Sequence, residues 1–275
     1  MTSTAKGVAP AGGQAQVVFD GIDVAYATGR DKIVHALDDI HLTLGEGEFV
    51  SLIGPSGCGK STLLRVASDI ITARKGICSV GGRTPRTARL KREIGFVFQD
   101  SALLEWRDVL QNVALPLEIE GMGRRERESR ARELIATVGL KGFENAFPRQ
   151  LSGGMRQRAS IARAMSTSPK LLLMDEPFGA LDQITRDRLN LELLELSQRE
   201  RMTVLFVTHS IREAILLSDR VVVMTPRPGR IKRILDIDLP RPRQLSVRDS
   251  AAFQALARLG VAELEQGYEV HDTDH

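Results

Sequence analysis

Cysteine is scarce in this chain, and long apolar runs are missing from it. Two cysteines, Cys58 and Cys78, cannot build a disulfide framework, so we expect a protein of a reducing compartment. No run approaches the roughly 18–20 apolar residues that a membrane-spanning helix needs. The N-terminus has one lysine among small and polar residues, without the apolar core of a secretory signal. Any channel that this protein serves must therefore come from a partner.

An excess of charge of one sign is also missing. The net charge of +3 is too small to identify a partner by electrostatics, and we expect no nucleic-acid partner. The 275 residues are 42% hydrophobic and 27% charged, which is typical of a soluble globular protein with one large domain.

The chain alternates between strand and helix patterns, with one interruption. Residues 1–16 are small and polar and predict a disordered tail. Strand and helix patterns then alternate, and Lys60 to Ile71 has apolar residues at helical spacing. From about 100 to 165 only helical patterns occur, which predicts a helical insertion in an α/β core. A Pro/Arg-rich linker at 239–243 then precedes an amphipathic helix over about 251–265. We interpret the acidic end, with His271 and His275, as a tail and not a metal site.

Residues 54–61 fit the phosphate-loop pattern G-x-x-x-x-G-K-[ST] without a mismatch. They follow a predicted strand that ends at Ile53 and they open a helix, which is the setting that phosphate binding requires. The glycines let backbone N–H groups surround a phosphate chain, and the helix N-terminus adds partial positive charge. Lys60 is expected to reach the β- and γ-phosphates, and Ser61 to bind Mg²⁺. The nucleotide-binding residues predicted here are Gly54, Pro55, Ser56, Gly57, Cys58, Gly59, Lys60, Ser61 and Thr62.

Two carboxylates follow the apolar strand at 171–174. Nucleotides bind at the carboxyl ends of strands in open α/β sheets, where this strand would deliver Asp175. Asp175 is therefore the expected Mg²⁺ partner. Glu176 lies one residue further on and can act as the general base for a water near the γ-phosphate.

The segment 151–157, Leu-Ser-Gly-Gly-Met-Arg-Gln, closely resembles the LSGGQ-type signature of ABC ATPases. Ser152, Gly153 and Gly154 at a helix start form a second small anion cradle. The resemblance implies that this cradle acts in trans, on the γ-phosphate held by the phosphate loop of a partner subunit.

Further residues fall into register with the same family. Gln99 matches the Q-loop glutamine, a ligand of Mg²⁺ and water, and residues 179–182 resemble the D-loop, which ends at Asp182. His209 matches the switch histidine that contacts the γ-phosphate. Tyr26 occupies the place of the aromatic ring that stacks on adenine. The resemblance covers roughly residues 17–240, and its finer features are similar to the nitrate/sulfonate/taurine importer branch.

The resemblance implies an α/β fold of the P-loop NTPase type. We expect a RecA-like core with a mixed sheet, a β-rich N-terminal subdomain and a helical ABC-specific subdomain. It implies ATP and Mg²⁺ as ligands and a homodimer that closes around two ATP molecules. It also implies two transmembrane permease subunits, an extracellular or periplasmic substrate-binding protein that acts indirectly, and a location at the cytoplasmic face of the cell membrane.

Three positions depart from the family pattern, and none of them removes a predicted phosphate or metal ligand. Asp69 stands where relatives usually have glycine, Glu105 replaces a common proline before Trp106, and Ser210 replaces a common aspartate after the switch histidine. The effects of these departures on the site are not predicted by the sequence.

The sequence leaves three alternatives to the importer ATPase. A non-transport ABC ATPase in DNA repair or on ribosomes is disfavoured, because the chain lacks a long coiled coil and has a single phosphate loop. A GTP-binding switch would need an N-K-x-D motif, which the sequence lacks. A regulatory homologue with a dead site is disfavoured by the intact Lys60, Asp175, Glu176 and His209.

Overall fold

The structure, a computed structural model, describes residues 14–27, 33–179 and 181–265, and the backbone of residues 266–269. The strands are β1 (Ala15–Ala27), β2 (Ile33–Gly45), β3 (Phe49–Ile53), β4 (Lys75–Val80), β5 (Ile94–Val97), β6 (Leu171–Asp175), β7 (Thr203–Val207), β8 (Arg220–Met224) and β9 (Ile231–Asp236). The helices are α1 (Lys60–Ala67), α2 (Pro85–Leu90), α3 (Val109–Ile119), α4 (Arg124–Thr137), α5 (Gly153–Met165), α6 (Gln183–Arg199), α7 (Ile211–Leu217) and α8 (Ala251–Glu269). Two 3₁₀ turns occupy Pro148–Gln150 and Leu245–Asp249.

The central six-stranded sheet has the order β5-β6-β7-β3-β8-β9. Its first five strands are parallel, and β9 pairs with β8 in the antiparallel sense, so the predicted mixed sheet is confirmed. Every residue of β3, β6, β7 and β8 is buried, because helices cover both faces of a parallel sheet. The loops after β3, β5, β6 and β7 therefore meet at one edge of the sheet, where the site lies.

A three-stranded antiparallel sheet, β2-β1-β4, forms the predicted β-rich N-terminal part. Its apolar face shares a core with α1 and one face of the central sheet, through residues such as Phe19, Leu42, Leu63 and Val222. Strand β1 begins at Ala15, two residues inside the predicted tail of residues 1–16. Residues 1–13, like His271 and His275, lie outside the described residues.

The predicted insertion contains α3, α4 and α5, which pack on one another and on the other face of the sheet. Helix α3 begins at a capping box in which Asp108 accepts the Gln111 backbone N–H and the Gln111 side chain accepts the N–H of Asp108. Among the described helices, none has the length and apolar character required to cross a bilayer.

Helix α1 ends at Ala67, four residues before the predicted end at Ile71. Asp69 has φ of +60°, in the left-handed region that stops a helix and that aspartate tolerates better than most residues. This conformation explains why glycine is usual at the position. Here the Asp69 carboxylate also accepts a hydrogen bond from Arg89 Nε at 3.0 Å.

The Pro/Arg-rich segment at 239–243, predicted as a linker, is packed against the core. Arg241 pairs with Asp219 at 2.6 Å, and the buried Arg243 guanidinium donates only to backbone carbonyls. Beyond this segment, α8 buries Phe253 and packs on α7 and β8. The C-terminal helix is thus an integral part of the fold.

Candidate nucleotide-binding and hydrolysis site

The loop between β3 and α1 wraps tightly because three of its glycines adopt conformations that other residues avoid. Gly54, Gly57 and Gly59 have φ of +157°, +73° and +105°. A Cβ on Gly59 would lie 2.6 Å from Leu37 Cδ2 and 2.8 Å from the Ala36 carbonyl oxygen. The loop backbone is therefore pressed against β2, and its shape suits a phosphate chain.

Lys60 opens α1 and is buried, with 4% of its surface exposed. Its ammonium donates to the carbonyl oxygens of Gly54 at 2.7 Å and Pro55 at 3.0 Å, so it lies inside the loop. The next residue, Ser61, donates from Oγ to Asp175 Oδ1 at 2.7 Å. This contact joins the phosphate loop to the end of β6 and brings together two oxygen donors of the kind that Mg²⁺ prefers.

Glu176 and His209 face each other at the ends of β6 and β7. His209 Nε2 lies 2.6 Å from Glu176 Oε1, and the Glu176 side chain is 16% exposed. Glu176 has φ of +47°, while its backbone N–H donates to the Val207 carbonyl at 3.0 Å. The strand end is turned so that the carboxylate points toward the histidine and not into the sheet.

A cleft of about 520 Å³ collects most of the predicted residues in one place. Its lining consists of Tyr26, Val34, Ala36, Ser56, Gly57, Gly59, Lys60, Ser61, Thr62, Gln99, Glu176, His209 and Arg227. The Tyr26 hydroxyl lies 3.3 Å from Thr62 Oγ1. Three predicted nucleotide-binding residues, Gly54, Pro55 and Cys58, are buried behind the lining, where they shape the loop. Burial also raises the pKa of the Cys58 thiol, against the opposing effect of Lys60.

Arg227 is a cleft residue that was not predicted. It follows β8, and its Nε donates to the Gly57 carbonyl oxygen at 3.1 Å. The neighbouring Gly229 lies so close to the phosphate loop that a Cβ there would come within 1.9 Å of the Cys58 carbonyl oxygen. The Pro-Gly-Arg motif at 228–230 was the available signal, because a glycine between rigid residues often marks a close backbone approach. Val34 and Ala36 were also missed, since nothing distinguishes them from other strand residues.

The predicted trans-acting residues lie elsewhere on the described surface. Ser152 caps α5 by accepting the Met155 N–H at 3.3 Å, and Asp182 caps α6 by accepting the Thr185 N–H at 3.0 Å. That N–H lowers the pKa of Asp182. Cβ positions on Gly153 and Gly154 would fall 3.8 and 3.7 Å from Leu181 Cδ2, so the signature segment and the D-loop adjoin. None of the described residues in these two segments lines the cleft, and Ala180 lies outside the described residues.

The sequence model of the ABC transporter family matches residues 37–179. The chain belongs to this family. A relative in Methanocaldococcus jannaschii, an uncharacterized ABC transporter ATP-binding protein, is 51% identical over 76% of this chain and 78% of its own length.

Two relatives carry functional names. The taurine import ATP-binding protein TauB of Rhizobium johnstonii is 42% identical over 93% of this chain and 96% of its own. The aliphatic sulfonates import ATP-binding protein SsuB of Bacillus licheniformis is 43% identical over 88% of this chain and 91% of its own length. Among solved structures, this chain is similar to the ATP-binding cassette MJ0796 in its post-hydrolysis dimer with ADP and Pi. The match covers 82% of this chain and 100% of the MJ0796 chain. Its TM-score is 0.74 at 34% identity.

This ABC ATPase therefore has the predicted α/β nucleotide-hydrolase fold, binds ATP and hydrolyses it. Two further departures from the family pattern can be placed in the structure. Ser210 caps α7 by accepting the Glu213 N–H at 3.3 Å, a role that aspartate fills equally well. Glu105 is exposed beside Trp106, which is 74% exposed. Their loop is held by the buried Asn112 amide, which bonds both backbone groups of Leu104.

Proposed function

We propose that this ABC ATPase energises the import of a small taurine- or sulfonate-like solute. It works at the cytoplasmic face of the cell membrane with two permease subunits, and indirectly with a substrate-binding protein. The observation that carries the hydrolytic part is one cleft lined by the phosphate loop and by the Glu176–His209 pair, with Asp175 bound to the lining residue Ser61. The relatives named for taurine and aliphatic sulfonate import support the transport part.

Within the cleft, the triphosphate lies along the phosphate-loop N–H groups and Lys60, and adenine stacks on Tyr26. Ser61, Asp175 and Gln99 would hold Mg²⁺, because all three offer the oxygen ligands it prefers; the ion would neutralise charge on the β- and γ-phosphate oxygens. Glu176 takes a proton from the attacking water as the water oxygen bonds to γ-phosphorus. The bond between γ-phosphorus and the ADP oxygen breaks in the same in-line displacement, so ADP leaves opposite the attacking water. His209 orients the Glu176 carboxylate and contacts the γ-phosphate.

A second copy of the chain completes the site. Ser152, Gly153 and Gly154 of that copy close on the γ-phosphate, because the start of α5 offers N–H groups and a positive helix end. Asp182 of the same copy comes to the site with them, because its neighbour Leu181 adjoins the two glycines. Their place on a surface apart from the chain's own cleft agrees with this role in trans. Loss of the γ-phosphate on hydrolysis removes the link between the two copies and favours opening.

The test of the hydrolytic assignment is phosphate release from MgATP by Glu176→Gln. We expect a loss of roughly 10²–10⁴-fold, the usual contribution of a general base, with ATP binding retained. Glu195→Gln, on the exposed side of α6, is the matched control. Wild-type turnover by Glu176→Gln would refute the assignment. The transport part is tested by reconstituting this ATPase in vesicles with candidate permease subunits and their substrate-binding protein. ATP hydrolysis should rise with taurine or a sulfonate and not with an unrelated solute, and an equal response to all of them would refute the substrate assignment.

A further inference from the structure

A polar cluster lies between α6, the loop after β7 and the C-terminal segment. We call it the Arg248 cluster, and its members are Asp187 and Asn190 of α6, Thr208, Glu213 of α7, and Arg248 of the 3₁₀ turn Leu245–Asp249. Asn190, Thr208 and Glu213 are buried, with 0%, 4% and 5% of their surfaces exposed. The mechanism above uses none of the five side chains, although the cluster adjoins His209.

Arg248 binds Asp187 through two parallel hydrogen bonds. Its Nη1 donates to Oδ2 at 2.8 Å and its Nη2 to Oδ1 at 2.7 Å, and the two side chains are only 18% and 16% exposed. This forked geometry fixes the orientation of both groups, which a single contact cannot do. The Arg248 guanidinium is also the main cause of the lowered pKa of Asp187. Arg248 is itself anchored, because its carbonyl oxygen accepts Gln254 Nε2 of α8 at 2.7 Å.

The same part of α6 is hydrogen-bonded to the D-loop and to Phe178 just before it. Arg186, next to Asp187, donates to the carbonyl oxygens of Phe178 at 3.2 Å and Leu181 at 2.8 Å. Asp182 caps the first turn of this helix. A rotation or shift of α6 would therefore carry Phe178, Leu181 and Asp182 with it.

The other side of the cluster holds the switch histidine. The Thr208 hydroxyl donates to Glu213 Oε2, and the same oxygen of Thr208 accepts the Ser210 N–H at 3.0 Å. Both neighbours of His209 are thus bound to one another and to α7. Burial raises the pKa of Glu213, and the hydrogen bond from Thr208 and the charges of Arg186 and Arg248 oppose that rise.

Helix α8 presses on the start of α7 from outside. A Cβ on Gly260 would lie 2.4 Å from Ile211 Cδ1 and 2.6 Å from its Cγ1, so the α8 backbone contacts the residue two positions after His209. The Arg212 guanidinium lies 5.9 Å from the centre of the Phe253 ring. The C-terminal segment 241–265 therefore contacts both α6 and α7. These are the helices that follow the D-loop and the His209 loop.

We propose that Arg248 is a positioning residue for ATP hydrolysis: it holds α6 through Asp187, so that the D-loop and the His209 loop keep one relative arrangement. The inference rests on the roles proposed above for His209 and Asp182. Positional errors near 1 Å at a reacting centre cost up to about 10²-fold in rate, so loosening this contact reduces catalysis without removing any group from the cleft.

The test compares ATPase kinetics of Arg248→Ala with those of Arg233→Ala. The control removes an arginine that also ties α8 to the core, through Glu263, but that belongs to β9 and pairs with neither α6 nor α7 in the described contacts. We expect kcat of Arg248→Ala to fall about tenfold, with KM for ATP within about twofold of wild type. Arg233→Ala should keep wild-type kcat.

The charge-swapped double variant Arg248→Asp, Asp187→Arg separates positioning from general stability. We expect it to recover most of the lost kcat, while Arg248→Lys recovers little because an ammonium cannot make the fork. Equal kcat in Arg248→Ala and the control, or no recovery in a folded double variant, would overturn the inference. If Glu176→Gln is inactive while Arg248→Ala is normal, only this inference fails; if Glu176→Gln is also normal, the proposed site fails.

Discussion

Gly229→Ala tests how closely the loop after β8 supports the phosphate loop. The added Cβ would lie 1.9 Å from the Cys58 carbonyl oxygen and 3.1 Å from the Cys58 carbonyl carbon, whereas nonbonded carbons prefer about 3.5–4.0 Å. Both partners are backbone, so one segment must retreat by more than about 1 Å. Gly229 also holds β2 through two backbone hydrogen bonds. Its N–H donates to the Ala36 carbonyl oxygen at 3.0 Å, and its carbonyl oxygen accepts the Asp38 N–H at 3.0 Å.

The expected cost follows from these contacts. Overpacking costs about 1–3 kcal/mol, and each backbone hydrogen bond that is lost adds about 1 kcal/mol. We expect a loss of about 3 kcal/mol, which lowers the melting temperature by roughly 6–12 °C for a chain of this size. Displacement of the phosphate loop should also raise KM for ATP about tenfold.

The assays are thermal unfolding and steady-state ATP hydrolysis, with Gly123→Ala as the control. A Cβ on Gly123 meets nothing within 4 Å, and alanine at this N-cap of α4 costs at most about 1 kcal/mol, well below the loss expected for Gly229→Ala. If Gly229→Ala were as stable as Gly123→Ala and bound ATP normally, the close approach of the two loops would be refuted.

Three further changes probe other parts of the site. Arg227→Ala removes a cation that Gly57 holds in the cleft. KM for ATP should rise about three- to fivefold with kcat retained, since an exposed charge contributes up to about 1 kcal/mol. An unchanged KM would exclude a role in binding. Glu213→Gln removes a carboxyl whose pKa is raised by burial. The charged form opposes folding, so wild-type stability should increase as pH falls through that raised pKa. The advantage of the glutamine variant at pH 8 should therefore shrink by pH 5, and a gap independent of pH would contradict this. Ser152→Arg, made in the Glu176→Gln background, should retain ATP binding but lose ATP-dependent dimerisation, as measured by gel filtration. Ser129→Arg, at an exposed serine of α4, is the control and should still dimerise with ATP.

The residues of the cleft that could be predicted belong to contiguous motifs. The phosphate loop, the acidic end of β6 and His209 each follow a buried apolar strand, and parallel strands deliver their carboxyl ends to one edge. Chain geometry alone therefore brings Lys60, Glu176 and His209 into one cleft.

Contacts between distant segments could not be predicted in this way. Arg227 reaches Gly57 across 170 residues of chain, and Arg248 reaches Asp187 across 61, so no local period or motif spacing encodes either contact. The end of α1 was misplaced for another reason. Apolar spacing continues to Ile71, but the left-handed backbone at Asp69 ends the helix first, and periodicity does not report backbone conformation.

Helix α7 shows why the C-terminal segment matters to the cleft. It has seven residues, fewer than the roughly 12–15 that an isolated helix needs in water, so tertiary packing must supply its stability. Gly260 fits against its first residue, Ile211. At its other end the Arg243 guanidinium donates to the Leu216 carbonyl at 3.1 Å and the Ser218 carbonyl at 2.7 Å.

These carbonyls are among those that a helix leaves unpaired at its C-terminus, where a cation is also favoured by the helix dipole. Burial lowers the pKa of Arg243 to about 10, which still leaves it protonated at neutral pH. Both ends of α7 are thus held by residues beyond 240. Since α7 begins two residues after His209, the histidine's position depends on a segment none of whose described residues lines the cleft.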